Sequence, residues 1–228
     1  MPRAQPRKPA RKTVAKRPKP AKPCFHIGFV GHRELADPED YIKMRIASEL
    51  RRFIADKPPK PGEPPLPGNI AHSSIASGAD TLFVETVLAH GIEWHAWLPF
   101  PVAEFRKDFS GADWKRAEAA LAKATRVHIA PIPADFASAS PDTRRAARNR
   151  AYSECGKRIA DSSNGMIAVW NGYPARGTGG TAETVDYAVN HRNLHCFVIN
   201  PSKLYSVLLR PSAEAKIALA RSKQRDTS

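Results

Sequence analysis

Short apolar runs alternate with longer amphipathic segments along most of the chain. The runs contain few polar residues and stop at glycine, asparagine or proline, a pattern typical of strands that are buried on both faces of a parallel sheet. On this pattern, strands are predicted at residues 24–30, 69–75, 92–98, 125–130, 166–170 and 196–199.

The segments between these runs have the apolar spacing of helices. In the first of them, Ile42, Ile46 and Leu50 recur at every fourth residue. Asp37 is predicted as its N-cap, with Pro38 at the first helical position. Regular alternation of strand and helix predicts an α/β fold, a doubly wound, mostly parallel, Rossmann-like sheet with helices on both faces. Further helices are predicted at about 80–90, 114–124, 142–160 and 182–188.

A glycine-rich turn follows the fifth predicted strand. It spans residues 177–181 and precedes a helix, so that its backbone N–H groups, together with the helix dipole, can bind an anion such as phosphate. The alternative is a tight turn without a ligand, because glycine clusters also serve that purpose. The turn lacks the lysine of a P-loop, and the G-x-G-x-x-A spacing of Gly177, Gly179 and Ala182 comes too late in the chain for a dinucleotide fingerprint. No cofactor is therefore predicted.

Three predicted loops with polar side chains follow the carboxyl ends of strands, where doubly wound sheets bind ligands. They span residues 31–33, 73–80 and 177–183. Their convergence predicts a site for the phosphate and ribose of a nucleotide-derived small molecule. Arg33 supplies the counter-charge in this hypothesis, with an ion pair to Glu34 or Asp37 as the alternative. The candidate ligand-binding residues are Gly31, His32, Arg33, Ser77, Gly78, Ala79, Asp80, Arg106, Asn171, Gly177, Thr178, Gly179, Gly180, Thr181 and Glu183.

Two of these candidates are carboxylates suited to acid–base chemistry. Glu183, beside the glycine turn, can serve as a general acid or base on a ribosyl bond, or accept a hydrogen bond from a ribose hydroxyl. Asp80 stabilises the dipole of its helix with or without a ligand. Neither is assigned as catalytic, and both are kept for the alternative of an enzyme. Arg106 and Asp108 are expected in a loop over residues 105–109 that forms part of a lid.

The composition narrows the class of protein. No apolar run approaches the length needed to cross a bilayer and no signal peptide is recognisable, so a cytoplasmic protein without a membrane partner is predicted. The three cysteines form no paired motif and are expected to be reduced and buried. The eight histidines show no ligand spacing, and no metal is predicted. The oligomeric state, a homo-oligomer included, is left open.

Much of the net charge of +14 comes from the N-terminus, where residues 1–23 contain nine basic residues, six prolines and no acidic residue. This segment is predicted to be a disordered arm that contacts nucleic acid without sequence specificity. The alternatives are a solvated arm without a specific function and an incorrectly assigned start codon. The predicted organisation is an arm at 1–23, a Rossmann-like domain at 24–210, and a C-terminal helix with a basic tail at 211–228.

Five segments together resemble the SLOG superfamily, which includes relatives of DNA-processing protein A (Smf) and of the LOG, or lysine decarboxylase-like, proteins. They are IGFVGHR at 27–33, SSIASGAD at 73–80, LPFP at 98–101, FRKDF at 105–109 and IAVWNGYPARGTGGTAETV at 167–185. The resemblance covers about residues 25–200 and implies a Rossmann-like fold that binds nucleotides or nucleotide-derived signals.

Within this superfamily, LOG members hydrolyse nucleoside 5′-monophosphates with a PGGxGTxxE motif and an upstream arginine. If Gly180 and Thr181 are aligned with the GT of that motif, its glutamate falls on Thr184, one residue after Glu183, and its arginine falls near Cys155. One residue on a helix corresponds to a rotation of about 100°. Binding or sensing of a nucleotide-derived molecule is therefore the leading hypothesis. An N-glycosidase or phosphoribohydrolase and a nucleic-acid-binding protein are the alternatives.

Overall fold

The computed structural model describes residues 25–35, 38–54, 68–133, 135–174, 179–202 and 206–211. Several predictions lie outside these residues: the basic arm at 1–23, the Asp37 cap, Gly177, Thr178, Cys24 and the C-terminal helix. None of the helices in the described part of the chain combines the length and the apolar character needed to span a bilayer.

The described residues form a seven-stranded sheet with the order β4-β3-β2-β1-β5-β6-β7. Neighbouring strands from β4 to β6 are parallel, and β7 pairs antiparallel to β6. The predicted doubly wound, mostly parallel sheet is confirmed. The strands are β1 (Phe25–Gly31), β2 (Asn69–Ser73), β3 (Glu93–Leu98), β4 (Arg126–Ile129), β5 (Gly165–Val169), β6 (Cys196–Ile199) and β7 (Ser206–Leu209).

The helices connect the strands as the alternating pattern predicts. The N-cap of α5 is Ser140, whose hydroxyl accepts a hydrogen bond from the amide of Thr143, and a proline occupies the first turn. The last helix, α6, continues into a π-helical turn at Tyr187–His191. The helices are α1 (Glu39–Ile54), α2 (Ala79–Ala89), α3 (Val102–Phe105), α4 (Gly111–Leu121), α5 (Pro141–Asp161) and α6 (Thr181–Asp186).

Two apolar clusters cover the two faces of the sheet. Residues of α1, α2 and α4 pack in one cluster with alternate strand residues such as Ile27 and Phe29, whereas α5 and α6 pack in the other with Val30 and Ala168. All residues of β5 are buried, as expected for a strand in the middle of the sheet. Burial on both faces fixes the position of β5 and of the turn that follows it.

Two details of the sequence-based prediction are wrong. Residues 105–109 do not form an open loop, because α3 is followed directly by a 3₁₀ turn at Arg106–Asp108. Phe105 is fully buried and its ring contacts Phe109 edge-to-face, and this pair anchors the segment. In addition, β7 was not predicted, because four residues at an antiparallel edge carry too weak a pattern to be distinguished from a loop.

Candidate functional site

The strand order reverses between β1 and β5, and a cleft opens at the carboxyl ends of these two strands. The cavity has a volume of about 740 Å³, within the range of small-molecule sites. The loops after β1, β2 and β5 all contribute to its lining, together with one face of α5. Of the predicted site residues, those that line the cleft are Gly31, His32, Arg33, Asp80, Asn171, Gly179, Gly180 and Thr181.

The remaining predicted residues lie elsewhere or outside the described parts. Ser77, Gly78 and Ala79 lie at the start of α2 but do not line the cleft. Arg106 places its guanidinium 5.8 Å from the centre of the Trp114 ring, and Glu183 lies behind the glycine turn. Gly177 and Thr178 are not among the described residues.

The start of α2 is packed directly against the end of β1. Gly78 has a φ of 85°, and a Cβ atom at this position would lie 2.1 Å from the carbonyl oxygen of Arg33. The amide of Ala79 donates to the carbonyl oxygen of His32 at 3.0 Å. This amide is therefore already bonded to backbone, and Gly78 is required for the close approach of the two segments.

His32 joins the ends of the two central strands. Its backbone amide donates to the carbonyl oxygen of Val169 at 3.1 Å, and its Nε2 accepts a hydrogen bond from the amide of Asn171 at 3.2 Å. Acceptance at Nε2 requires this nitrogen to be unprotonated. These two hydrogen bonds connect His32 to the end of β5 and hold one wall of the cleft in place.

The glycine turn is held in shape by Glu183. One carboxylate oxygen accepts from the amide of Gly179 at 2.6 Å and the other accepts from the hydroxyl of Ser153. Burial raises the pKa of Glu183, but the hydrogen bonds from Ser153 and Gly179 outweigh it, and the pKa lies below its ordinary value. The glutamate is thus an ionised group that closes the turn, and its carboxylate is already occupied by protein donors.

Arg33 is oriented by α5. Its Nη2 donates to the hydroxyl of Tyr152 at 2.8 Å, and its guanidinium lies 5.3 Å from the centre of the Tyr152 ring. The same hydroxyl donates to Asp108, and burial, the largest cause, raises the pKa of Tyr152 above its ordinary value. Tyr152 was not predicted as a site residue, because it does not follow the end of a strand. Arg148, one turn before Tyr152 on α5, also contacts Asp108. No spacing in the sequence points to either contact.

Two buried polar atoms beside the cleft lack hydrogen-bond partners among the described residues. They are Oδ1 of Asp80 and Oγ of Ser74, and both residues line the cavity. Asp80 is 7% exposed, and its Oδ2 accepts from the amide of Ala76 at 3.3 Å. Burial raises the pKa of Asp80 to about 7, against the opposing effects of the Ala76 amide, the Arg33 charge and the Gly31 amide. Buried polar atoms of this kind are normally satisfied by a water or a ligand.

A separate group of histidines crosses adjacent strands of the sheet. This histidine row consists of His26, His72, His95 and His128, on β1 to β4 respectively, with ring centres 5.1 to 5.9 Å apart from one histidine to the next. No set of three or more His, Cys, Asp or Glu side chains within the described ranges is arranged to hold a metal ion. The two cysteines of those ranges, Cys155 and Cys196, are free and buried.

Neither a protein-family model nor a curated protein matches the sequence. Among solved structures, the chain is similar to DNA processing protein A from Helicobacter pylori, whose structure was described for its single-stranded DNA binding mode. The two share 12% identity with a TM-score of 0.45, over 88% of this chain and 73% of that chain. At this level of identity the likeness concerns the fold alone.

Proposed function

We propose that the cleft between the ends of β1 and β5 binds a nucleotide or a nucleotide-derived small molecule. The observation that carries this proposal is the convergence of three strand-end loops on one cavity at the point where the strand order reverses. Doubly wound sheets bind ligands at that point because the loops after the two neighbouring strands run in opposite directions and leave a crevice between them. The partnerless oxygens of Asp80 and Ser74 support a polar ligand rather than an apolar one.

The side chains suggest how such a ligand is divided between the walls. Arg33 lies at the mouth of the cleft with a donor fork suited to phosphate oxygens, and Thr181 begins the helix after the glycine turn. Asp80 and Ser74 lie on the β2–α2 side and offer an acceptor and a hydroxyl, which suit the two hydroxyls of a ribose. The phosphate is therefore assigned to the Arg33 side and the ribose to the Asp80 side.

The geometry favours binding over hydrolysis. Both oxygens of Glu183 accept hydrogen bonds from the protein, and Glu183 does not line the cavity. An acid–base role requires a carboxylate that can reach the ribosyl bond of the ligand. Of the two carboxylates considered for the enzyme, only Asp80 lines the cleft.

Isothermal titration calorimetry with AMP, GMP, CMP and UMP tests the proposal. At least one of them is expected to bind the full chain, and Arg33→Ala is expected to weaken that binding about tenfold through loss of a charge-assisted hydrogen bond. Arg192→Ala is the matched control, because Arg192 pairs with Asp161 and lies outside the cleft. Chromatography of the same mixtures shows whether free base is released, and this distinguishes binding from turnover. Binding that is equally strong in Arg33→Ala and the wild type contradicts the assignment.

A further inference from the structure

A second cavity of about 680 Å³ adjoins the cleft. It lies between the α3 segment, the loop around Phe136 and the first half of α5, and it shares Arg33 and Tyr152 with the cleft. We call this cavity the arginine groove. Its charged lining residues are Arg33, Lys107, Arg144, Arg145, Arg148, Glu104 and Asp108.

The two cavities differ in charge. The arginine groove has five basic and two acidic side chains in its lining, whereas the cleft has Arg33 against Glu34 and Asp80. A concave surface lined by one sign of charge concentrates ligands of the opposite sign. The attraction for an anion is therefore stronger in the groove than in the cleft that the glycine turn borders.

Not every cation in the groove is available to a ligand. Arg148 is held between Glu104, at 2.5 Å, and Asp108, with its guanidinium 4.5 Å from the centre of the Phe100 ring. Lys107 also pairs with Glu104, at 2.5 Å. The two carboxylates of the groove are thus engaged by Arg148 and Lys107, which form its fixed wall.

Two arginines on α5 keep their charge free for an anion. Arg144 donates to the carbonyl oxygen of Ala137 at 3.3 Å and has no ion pair within the described ranges. Arg145 pairs with Asp142 at 3.1 Å, but both side chains are largely exposed, and such pairs contribute little. Arg144 and Arg145 therefore provide the uncompensated positive charge of the groove.

Arg33 stands at the junction of the two cavities. Its hydrogen bond to Tyr152 fixes the guanidinium at the boundary, and the bond from Tyr152 to Asp108 anchors that boundary to the wall of the groove. A guanidinium has five N–H donors, so the bond to Tyr152 leaves donors for oxygens on either side. An anion in the cleft and an anion in the groove can therefore share Arg33.

We propose that the arginine groove is a second phosphate subsite, so that the ligand carries two phosphate groups on either side of Arg33. This inference rests on the proposed function of the cleft. The cleft alone is large enough for a mononucleotide, which leaves the groove for a further anionic group. Two kinds of ligand have this chemistry: a nucleoside diphosphate, with adjacent phosphates, and a dinucleotide, with phosphates separated by a nucleoside.

Calorimetry with AMP, ADP and the 5′-phosphorylated dinucleotide pApA tests the second subsite and distinguishes the two kinds of ligand. One of the two-phosphate ligands is expected to bind the full chain about tenfold more tightly than AMP. In a double variant, Arg144→Ala with Arg145→Ala, that gain is expected to disappear while the affinity for AMP stays unchanged. Arg150→Ala with Arg158→Ala is the matched control, because it removes the same charge from the same helix outside both cavities.

The outcomes separate this inference from the proposed function. Equal affinities for AMP, ADP and pApA overturn the second subsite and leave the cleft assignment intact. If the control double variant loses the tighter binding of the two-phosphate ligand to the same extent, the second subsite is also overturned, because the effect then comes from net charge alone. If AMP does not bind but the affinity for pApA depends on Arg144 and Arg145, the groove stands and the cleft assignment fails. If none of the three ligands binds, both fail.

Discussion

The floor of the cleft and the histidine row both bury polar side chains against the same sheet, but they differ in how these groups are satisfied. Asp80 and Ser74 each have an oxygen without a hydrogen-bond partner among the described residues, whereas both ring nitrogens of His72 are bonded, one to His26 and the other to Trp97. A buried polar group that is hydrogen-bonded within the protein stabilises the native packing. A buried polar group without such a partner costs free energy unless a ligand or a water supplies the missing hydrogen bond. The difference supports the proposed use of the cleft for binding and a structural role for the histidine row.

The hydrogen bonds determine the tautomer of His72. Trp97 donates its Nε1 hydrogen to Nδ1 of His72 at 3.2 Å, so Nδ1 is unprotonated and the proton of the neutral ring resides on Nε2. Nε2 lies 2.8 Å from Nδ1 of His26 and donates to it. A second proton on His72 would break the bond from Trp97. Burial, followed by the charges of the neighbouring histidines, lowers the pKa of His72 to about 3.

The two regions therefore respond to pH with opposite signs. The pKa of His72 in the folded state lies below its ordinary value of 6.5, so its contribution to stability is present above pH 6.5 and is lost as the pH falls. The pKa of Asp80 in the folded state lies above its ordinary value of 3.8, so its contribution is present at low pH and is lost as the pH rises towards 7. Between about pH 4 and 6.5 the two effects oppose each other.

The largest expected effect comes from His72→Gln. The difference in the free energy of unfolding, wild type minus variant, is expected to fall by about 3 kcal/mol between pH 7 and pH 4.5. The buried His72 resists protonation, whereas the glutamine that replaces it does not titrate. Urea denaturation across this range measures the difference. His191→Gln, at a largely exposed histidine outside the row, is the control. If the difference in the free energy of unfolding for His72→Gln does not change with pH, then burial in the histidine row does not oppose the protonation of His72.

Asp80→Asn should give a smaller effect of opposite sign. The wild type is expected to lose about 2 kcal/mol relative to the variant as the pH rises from 5 to 7, because the buried carboxyl must ionise without a full set of donors. Urea denaturation at several pH values measures this change, with Asp40→Asn in the exposed first turn of α1 as the control. If the two differences run in the same direction with pH, the contrast between the regions is wrong.

The sheet could be predicted from the sequence because its central strands coincide with continuous apolar runs. The predicted bounds of β6, at 196–199, agree with the structure, and those of β1 and β5 differ by a single residue at either end. Elements anchored by few residues were missed. In α3, only Phe105 is buried, and one side chain sets no periodicity.

The candidate site could be predicted where its residues lie in the strand-to-helix connections after β1, β2 and β5. Gly31 and Arg33 follow β1 directly, so the topology places them at the cleft. Tyr152 lies 119 residues from Arg33 in the chain, on α5. No sequence spacing encodes a contact of that kind. The arginine groove was missed for the same reason, because its walls come from three separate segments.

Glu183→Gln gives the smallest expected effect and sharpens the comparison between two carboxylates of one site. Glu183 accepts from Gly179 and Ser153, whereas Oδ1 of Asp80 has no hydrogen-bond partner in the described part of the chain. A glutamine keeps one acceptor oxygen and must lose one of these bonds, so a destabilisation of about 1 kcal/mol is expected at pH 7. Nucleotide affinity should stay within about twofold of the wild type, since Glu183 does not line the cavity, whereas Asp80→Asn should weaken it further. Denaturation together with calorimetry measures both quantities. A large loss of affinity in Glu183→Gln with little loss of stability would instead place this carboxylate on the ligand and revive the enzyme hypothesis.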